Sequence, residues 1–143
     1  MTMKPSRSIQ GFTLIELMIV VMIIGILMAI VVPKAGYAIK KSAEATSKGS
    51  LGALRSTLSI YFSDTEGKYP TDNLASLVPN YASNIPLLRT VGYHGDSTQV
   101  VTEVVPSDSG QWSYDSVTGD PNFGTVRIGC THTDALGKTW STY

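Results

Sequence analysis

An uncharged apolar run from Leu17 to Val32 constrains this chain of 143 residues more than any other feature. With residues 12–16 included, the run reaches the roughly 20 residues that an α-helix needs to cross a bilayer. Glu16 stands at its start, and a carboxylate within hydrocarbon costs roughly 2.5–3.5 kcal/mol, so such a group usually marks a partner or a pathway. The sequence therefore predicts a membrane helix with a functional acidic residue near one end.

The residues before this run predict a cytoplasmic leader. Residues 1–11 are short and polar, and they carry Lys4 and Arg7, in keeping with the positive-inside rule. A secretory signal would have a shorter apolar core followed by a small-x-small cleavage site. Here the apolar run continues directly into a helical pattern, which favours a stem that stays in the membrane.

Beyond Val32 the sequence predicts that the helix continues. Pro33 removes one backbone hydrogen bond, so we expect a kink or a loosened turn there, with a plain proline at a helix end as the alternative. In residues 34–63 large side chains recur at three- and four-residue spacing, which predicts one helix face packed on a sheet. That stripe consists of Leu51, Leu54, Leu58 and Tyr61.

Residues 64–143 predict a small globular head. Gly67 and Pro70 end the helix, and a second short helix is expected, capped by Thr71 or Asp72 and ended by Pro79. Its inward-facing residues would be Leu74, Leu77 and Val78.

From Thr98 onward the pattern indicates β-structure. Strands are predicted near Thr98–Val105, Gln111–Val117 and Thr125–Cys130, the last two joined by the turn "TGDPNFG". The predicted fold class is α+β: a long N-terminal α-helical stem, membrane-spanning in its first half, packed on a small antiparallel β-sheet head.

Charge and cysteine content exclude several classes of function. The eleven basic and eleven acidic residues cancel, which gives no indication of nucleic-acid binding. Cys130 is the only cysteine, so the chain can form neither an internal disulfide nor a four-cysteine metal site. We expect Cys130 to be a buried small apolar residue.

One group of polar residues has the residue types of a catalytic or metal site, although its pattern does not predict such a site. Cys130, His132 and Asp134 alternate in "CTHTD", and with His94 they could be read as a nucleophile set or a metal cluster. Polar residues at a strand end are the simpler interpretation. Because no phosphate loop, histidine-rich spacing or nucleophile elbow is present, we expect a protein that is not an enzyme.

The segment "GFTLIEL" after a short basic leader, with Pro33 at the end of the apolar helix and a helix-then-sheet head, resembles the type IV pilin and pseudopilin superfamily. The resemblance is strong from Gly11 to about Ser63. It is looser in the head, where "GKYPT", "YASNIP" and "WSYDSVTG" carry it.

The resemblance implies how the chain is processed. A prepilin peptidase would cut between Gly11 and Phe12 on the cytoplasmic side and methylate the new amine of Phe12. Residues 1–11 are then the leader, 12–33 the hydrophobic membrane and filament-core helix, 34–63 its amphipathic second half and 64–143 the head.

The resemblance also implies a role for Glu16 and a set of partners. Glu16 would meet the N-terminal amine of a neighbouring copy as the helices gather into a homo-oligomeric helical filament. A cationic amine removes much of the penalty on a carboxylate in apolar surroundings, so the pair rewards one register of docking. The other partners are the membrane before assembly and an inner-membrane assembly platform with its ATPase.

Secretion-type members of the superfamily often hold calcium in a loop of the head. In "YDSVTGDPN" the weak candidates for calcium ligands are Asp115 and Asp120. The usual ligand string of those relatives is missing, and "TGDPN" is ordinary turn chemistry. The prediction is therefore that the protein has no metal or other cofactor.

Two machines fit such a subunit. The first is a surface type IV pilus for adhesion, motility or DNA uptake, with an inner-membrane precursor and an extracellular product. The alternative is a major pseudopilin in the periplasmic pseudopilus of a type II secretion system. A third hypothesis is a bitopic membrane protein that has a binding head and does not polymerise. A secreted enzyme is not favoured, because the sequence lacks catalytic motifs.

Overall fold

The computed structural model describes residues 11–143, so the predicted leader lies outside the described residues except for Gly11. The described chain forms a long helix α1 (Leu14–Asp64) and three short strands, β1 (Val100–Thr102), β2 (Gln111–Tyr114) and β3 (Val126–Gly129), with 3₁₀ turns at Ala75–Leu77 and Trp140–Thr142. The predicted α+β class is confirmed. The chain divides into two compact units between Ala38 and Ile39, which places the second half of α1 in the same unit as the strands.

Helix α1 continues through Pro33, as predicted, and ends where the sequence indicated. At its C-terminal end Glu66 adopts a left-handed conformation with φ of 57°, and the amide of Gly67 donates to the carbonyl of Phe62 over 2.9 Å. This is the six-to-one bond of a Schellman motif, with a glutamate in the position that glycine usually takes. The kink predicted at Pro33 stays a prediction.

The stripe of leucines predicted on α1 is the side that packs into the core. Leu51, Leu54 and Leu58 are each at most 3% exposed, and Tyr61 is partly buried against them. The buried face also extends about two turns further back, to Ser47 and Glu44. A search for apolar periodicity misses these two because they are polar.

Backbone partners explain how Glu44 and Ser47 can be buried. The hydroxyl of Ser47 donates to the carbonyl of Arg89 and accepts from its amide, both over 2.9 Å. One carboxylate oxygen of Glu44 accepts from the amide of Ala135 over 3.0 Å. Pairing lowers the cost of burying polar groups, and these bonds fix two loops against the helix, although Oε1 of Glu44 is buried without a partner among the described residues.

The sheet differs from the prediction in direction. Strands β2 and β3 are antiparallel and joined by the predicted turn, but β1 lies parallel to β2, with Val100 opposite Trp112. The antiparallel expectation is therefore wrong for one of the two strand pairs. The loop of residues 103–110 returns the chain to the same end of the sheet, and this connection is short for a parallel pair. Alternation of side chains along a strand does not encode the direction of its neighbour.

The prediction of a short α-helix after Thr71 or Asp72 is also wrong. Only one 3₁₀ turn forms, at Ala75–Leu77, because Leu74 adopts a left-handed conformation with φ of 65° and interrupts any longer helix. The burial prediction fares better, since Leu74 and Leu77 are fully buried. Asp72 does act locally, because its carboxylate accepts from the amide of Ser76 over 2.9 Å.

Aromatic side chains fill the core between the helix and the sheet. Trp112, Tyr114 and Trp140 are fully buried. The indole N–H of Trp112 donates to the carbonyl of Pro86 over 2.8 Å, and the hydroxyl of Tyr114 donates to the carbonyl of Pro70 over 2.6 Å. These bonds satisfy the polar ends of Trp112 and Tyr114 and attach two proline-containing loops to β2, whereas the indole N–H of Trp140 is buried without a partner among the described residues.

An ion pair with a buried carboxylate connects α1 to the C-terminal segment. Lys48 Nζ and the hydroxyl of Tyr143 both donate to Oδ2 of Asp134, whose side chain is 0% exposed. The other oxygen, Oδ1, accepts from the amides of Leu136 and Lys138, each over 2.9 Å. Burial alone would raise the pKa of Asp134, but the hydrogen bonds from Lys48, Tyr143 and the two amides lower it well below its usual range.

Removing one leucine of the stripe should destabilise the fold measurably. Leu54→Ala is expected to lower the free energy of unfolding by about 2–5 kcal/mol, because it leaves a cavity in a close-packed core. Ile60→Ala on the same helix is the matched control, since Ile60 is 55% exposed, and it should cost less than about 1 kcal/mol. Urea unfolding of the full chain in detergent micelles compares the two, and equal losses would contradict the packing described here.

The low pKa of Asp134 predicts a dependence of stability on pH. The unfolded chain takes up a proton at this carboxyl near its ordinary pKa of about 4, whereas the folded chain does not, so stability should fall as the pH drops below about 4. Asp134→Asn should cost about 1–3 kcal/mol at neutral pH and flatten the acid limb of the stability curve.

Asp120→Asn, in the β2–β3 turn, is the control for Asp134→Asn because asparagine suits a turn equally well. Urea unfolding between pH 2 and pH 7 would measure all three chains. An acid limb as steep in Asp134→Asn as in the native chain would show that Asp134 titrates normally.

Candidate functional site

Helix α1 begins with reciprocal hydrogen bonds between Thr13 and Glu16. The amide and the hydroxyl of Thr13 donate to Oε2 of Glu16 over 2.9 and 2.6 Å, and the amide of Glu16 donates to the hydroxyl oxygen of Thr13 over 3.3 Å. Because α1 starts at Leu14, this is a capping box, with threonine at the N-cap and glutamate at the third helical position. The carboxylate also lies at the positive end of the helix dipole.

The sequence contained the signal for this box. "TLIE" is the pattern Ser/Thr-x-x-Glu directly before an apolar run, which marks a helix start. Sequence reasoning assigned Glu16 only to a contact between copies and missed its contact within the chain. The structure therefore adds a contact within the chain, in which Thr13 hydrogen-bonds one carboxylate oxygen of Glu16.

The predicted processing residues, Gly11 and Phe12, lie just before the capping box. Both are exposed, Phe12 to 75%. A Cβ added at Gly11 would meet none of the described atoms within 4 Å, so packing among the described residues does not require glycine there. Cleavage between the two stays a prediction, and glycine at this position is consistent with recognition by another protein.

The first part of α1 presents apolar side chains on every side. Each large apolar residue from Leu14 to Val32 is 46–77% exposed. This stretch is long and apolar enough to cross a membrane. An apolar surface of that extent needs a cover, either lipid or other helices. Gly25 lies within it, and a Cβ there would meet only open space.

The calcium candidates are both engaged in the β2–β3 turn. Oδ1 of Asp120 accepts from the amide of Asn122 over 2.8 Å, which is an Asx-turn. Asp115 is 2% exposed, and its Oδ1 accepts from the amide of Val117 over 3.0 Å while Oδ2 is buried without a partner among the described residues. One oxygen without a partner suits calcium, but an ion of six to eight ligands needs many more, so Asp115 and Asp120 stay weak candidates and the absence of a calcium site stays a prediction.

The residues that sequence reasoning treated as ordinary loop residues are brought together in part. His94, Cys130 and His132 meet, and Asp108 joins them from the loop between β1 and β2. Asp134 is not a member, because it pairs with Lys48. The cluster of His94, Asp108, Cys130 and His132 is called the His–Cys–Asp cluster below.

Sequence reasoning overlooked Asp108 because nothing in its local pattern sets it apart from a turn aspartate. The expectation for Cys130 is confirmed, since it is fully buried.

Comparison with known proteins gives two kinds of relative. A family defined by the prokaryotic N-terminal methylation motif matches residues 6–32. The fimbrial protein EcpC of Eikenella corrodens is 43% identical over 67 residues, which are 47% of this chain and 43% of EcpC.

The second kind of relative comes from secretion systems. Type II secretion system core protein G of Pseudomonas aeruginosa is 38% identical over 80 residues, or 54% of this chain and 56% of that protein. The Escherichia coli protein of the same name is 37% identical over 78 residues, or 53% of each chain. No solved structure matches the chain significantly.

This chain spans about half the length of the curated relatives it matches. The match to the methylation motif covers Gly11, Phe12 and Glu16, the residues at the capped start of the exposed apolar helix. The chain thus carries the prokaryotic N-terminal methylation motif, and over about half its length it is similar to a fimbrial protein and to type II secretion system core proteins G.

Proposed function

We propose that this protein is a structural subunit of a type IV pilus, which polymerises through α1 after the leader has been cut between Gly11 and Phe12 and Phe12 has been methylated. One observation carries the proposal. The described chain leaves the apolar surface of α1 uncovered, and Glu16, the only charged residue between Phe12 and Val32, stands four residues from the new N-terminus.

The hydrogen bonds of Glu16 suggest how the change from lipid to filament occurs. In the membrane, Thr13 holds one carboxylate oxygen, which lowers the cost of keeping a charge at the edge of the hydrocarbon. In the filament, the methylated amine of Phe12 in a neighbouring copy pairs with the carboxylate. Only one register brings these groups together, so the pair selects geometry even if it contributes little net stability.

The proposal assigns partners and location to the chain. A prepilin peptidase processes the precursor in the inner membrane, and an assembly platform with its ATPase extracts the subunits into an extracellular pilus. No catalytic activity and no nucleic-acid contact are assigned to the chain itself.

A second candidate is the major pseudopilin of a type II secretion system, with a periplasmic pseudopilus as its product. The relatives favour it in one respect, since the two secretion proteins match over 80 and 78 residues and the fimbrial protein over 67. Both candidates use the same cleavage, methylation and Glu16 contact. They differ in the location of the filament, which is extracellular for the pilus and periplasmic for the pseudopilus.

The charge of Glu16 and its capping role can be separated by two substitutions. Glu16→Gln keeps an oxygen that can accept from Thr13 but removes the charge, so it should lower the amount of assembled filament about ten-fold or more. Thr13→Val removes the hydroxyl and keeps the charge, so it should change assembly about two-fold at most. Filaments sheared from cells are measured against the membrane pool of the same chain.

Each result for this pair has a definite meaning. Assembly of Glu16→Gln at the native level would contradict the charge pairing on which the proposal depends. Loss of assembly in Thr13→Val alone would assign Glu16 to helix capping instead.

Processing is tested by the intact mass of the chain. The native protein should have the mass of residues 12–143 plus one methyl group, and Gly11→Leu should keep the mass of the precursor and accumulate in the membrane. Processed chain in the sheared surface fraction supports the pilus, and processed chain confined to the cell envelope supports the pseudopilus. An unprocessed native chain would refute both.

A further inference from the structure

Four side chains with metal-binding atoms converge from three segments that are distant in sequence. His94 comes from the loop before β1, Asp108 from the loop between β1 and β2, and Cys130 and His132 from the segment after β3. Their ligand atoms all lie within 4.8 Å of one another. Two imidazoles, one thiol and one carboxylate form a donor set that zinc favours, whereas calcium and magnesium take oxygen atoms.

The distances within the His–Cys–Asp cluster resemble the edges of a tetrahedral zinc site. His94 Nε2 and His132 Nδ1 lie 3.1 and 3.3 Å from Asp108 Oδ1, and Cys130 Sγ lies 3.6 Å from His132 Nδ1. With ordinary zinc bond lengths, the tetrahedral edges are about 3.3 Å between nitrogen and oxygen and about 3.6 Å between nitrogen and sulfur. Three of the six edges therefore already have the required length.

Neighbouring groups hold two of the donors in place. The amide of Thr131 donates to Oδ1 of Asp108 over 2.9 Å. The ring of His132 stacks on Tyr93, with ring centroids 4.2 Å apart and planes 16° from parallel.

Gly110 makes room for His94. It has a φ of +70°, and a Cβ there would overlap the side chain of His94. A larger residue at this position would thus displace one donor of the cluster.

Access from solvent is open on one side of the cluster. The side chains of Asp108 and His132 are each 40% exposed and that of His94 is 19% exposed, while Cys130 is fully buried. An ion can therefore reach the exposed donors first and take the thiol as its innermost ligand. Coordination requires the thiolate, so the proton of Cys130 passes to the solvent when the ion binds.

We propose that His94, Asp108, Cys130 and His132 form a four-coordinate structural zinc site. Four protein ligands leave no open position for a substrate, which is the arrangement of structural rather than catalytic zinc. With Cys130 as its only cysteine, the chain cannot link its loops by a disulfide. The ion would tie together three loops of the head, and this role does not depend on whether the chain forms filaments.

The test uses the full chain in detergent micelles, purified with a tag that contains no histidine and stripped with a chelator. Titration with zinc sulfate should give one zinc per chain that survives gel filtration, and it should raise the melting temperature by about 4 °C or more. Cobalt(II) in place of zinc should give the intense visible bands of tetrahedral coordination and a thiolate-to-cobalt charge-transfer band.

Substitutions identify the ligands. His132→Gln and Asp108→Asn should each lower zinc affinity about ten-fold or more, and Cys130→Ser should abolish the charge-transfer band. Asp120→Asn, outside the cluster, is the matched control and should bind zinc like the native chain. Since Cys130 is fully buried, a substitution there also perturbs the core, and the cobalt spectrum of the native chain tests the thiolate independently of that variant.

Three results would overturn the proposal. They are loss of zinc from the native chain on gel filtration, a cobalt spectrum without tetrahedral or thiolate bands, and native affinity in the folded His132→Gln variant. Each would leave the cluster as hydrogen bonds between histidine and aspartate.

Discussion

The apolar surface of α1 from Leu14 to Val32 has to be covered by something other than the described part of this chain. Lipid can cover it uniformly, because hydrocarbon imposes no register on a helix that is apolar all round. Other copies of the same helix can also cover it, but their packing would be indifferent to sliding without a directional contact. Under the proposed function, the carboxylate of Glu16 at the capped start of this surface would be that directional contact.

The second half of the same helix is buried on one face only. There a single face is buried, from Glu44 to Leu58, and the opposite face is exposed. Apolar packing by the leucines is combined with directional contacts, such as the pair between Lys48 and Asp134 and the bonds of Ser47 to a loop. This half therefore has one fixed set of contacts within its own unit, whereas the first half depends on its surroundings.

These differences explain what could be predicted from the sequence. Leucines at helical spacing favour a helix with one buried face, so the buried stripe and the extent of α1 were predictable. The direction of β1 was not, because a run of alternating residues serves either direction equally well. The prediction of a short helix was wrong because Leu74 has a left-handed backbone conformation, which no local sequence pattern indicates.

The candidate sites also differ in how far local sequence could predict them. The capping box of Thr13 and Glu16 was readable from four consecutive residues, although its meaning was overlooked. The His–Cys–Asp cluster was only partly readable, because Asp108 and His94 reach Cys130 through the folding of loops. A feature that depends on long-range closure becomes visible only once the fold is known.

The central claim is that the carboxylate of Glu16 passes from Thr13 to the amine of a neighbouring Phe12 on assembly. A cryo-electron microscopy map of the assembled filament, at a resolution that shows side chains, tests it most directly. The account predicts a carboxylate oxygen within about 4 Å of the methylated nitrogen of the adjacent copy. A filament in which Glu16 still contacts only its own Thr13, with the amine elsewhere, would contradict the claim.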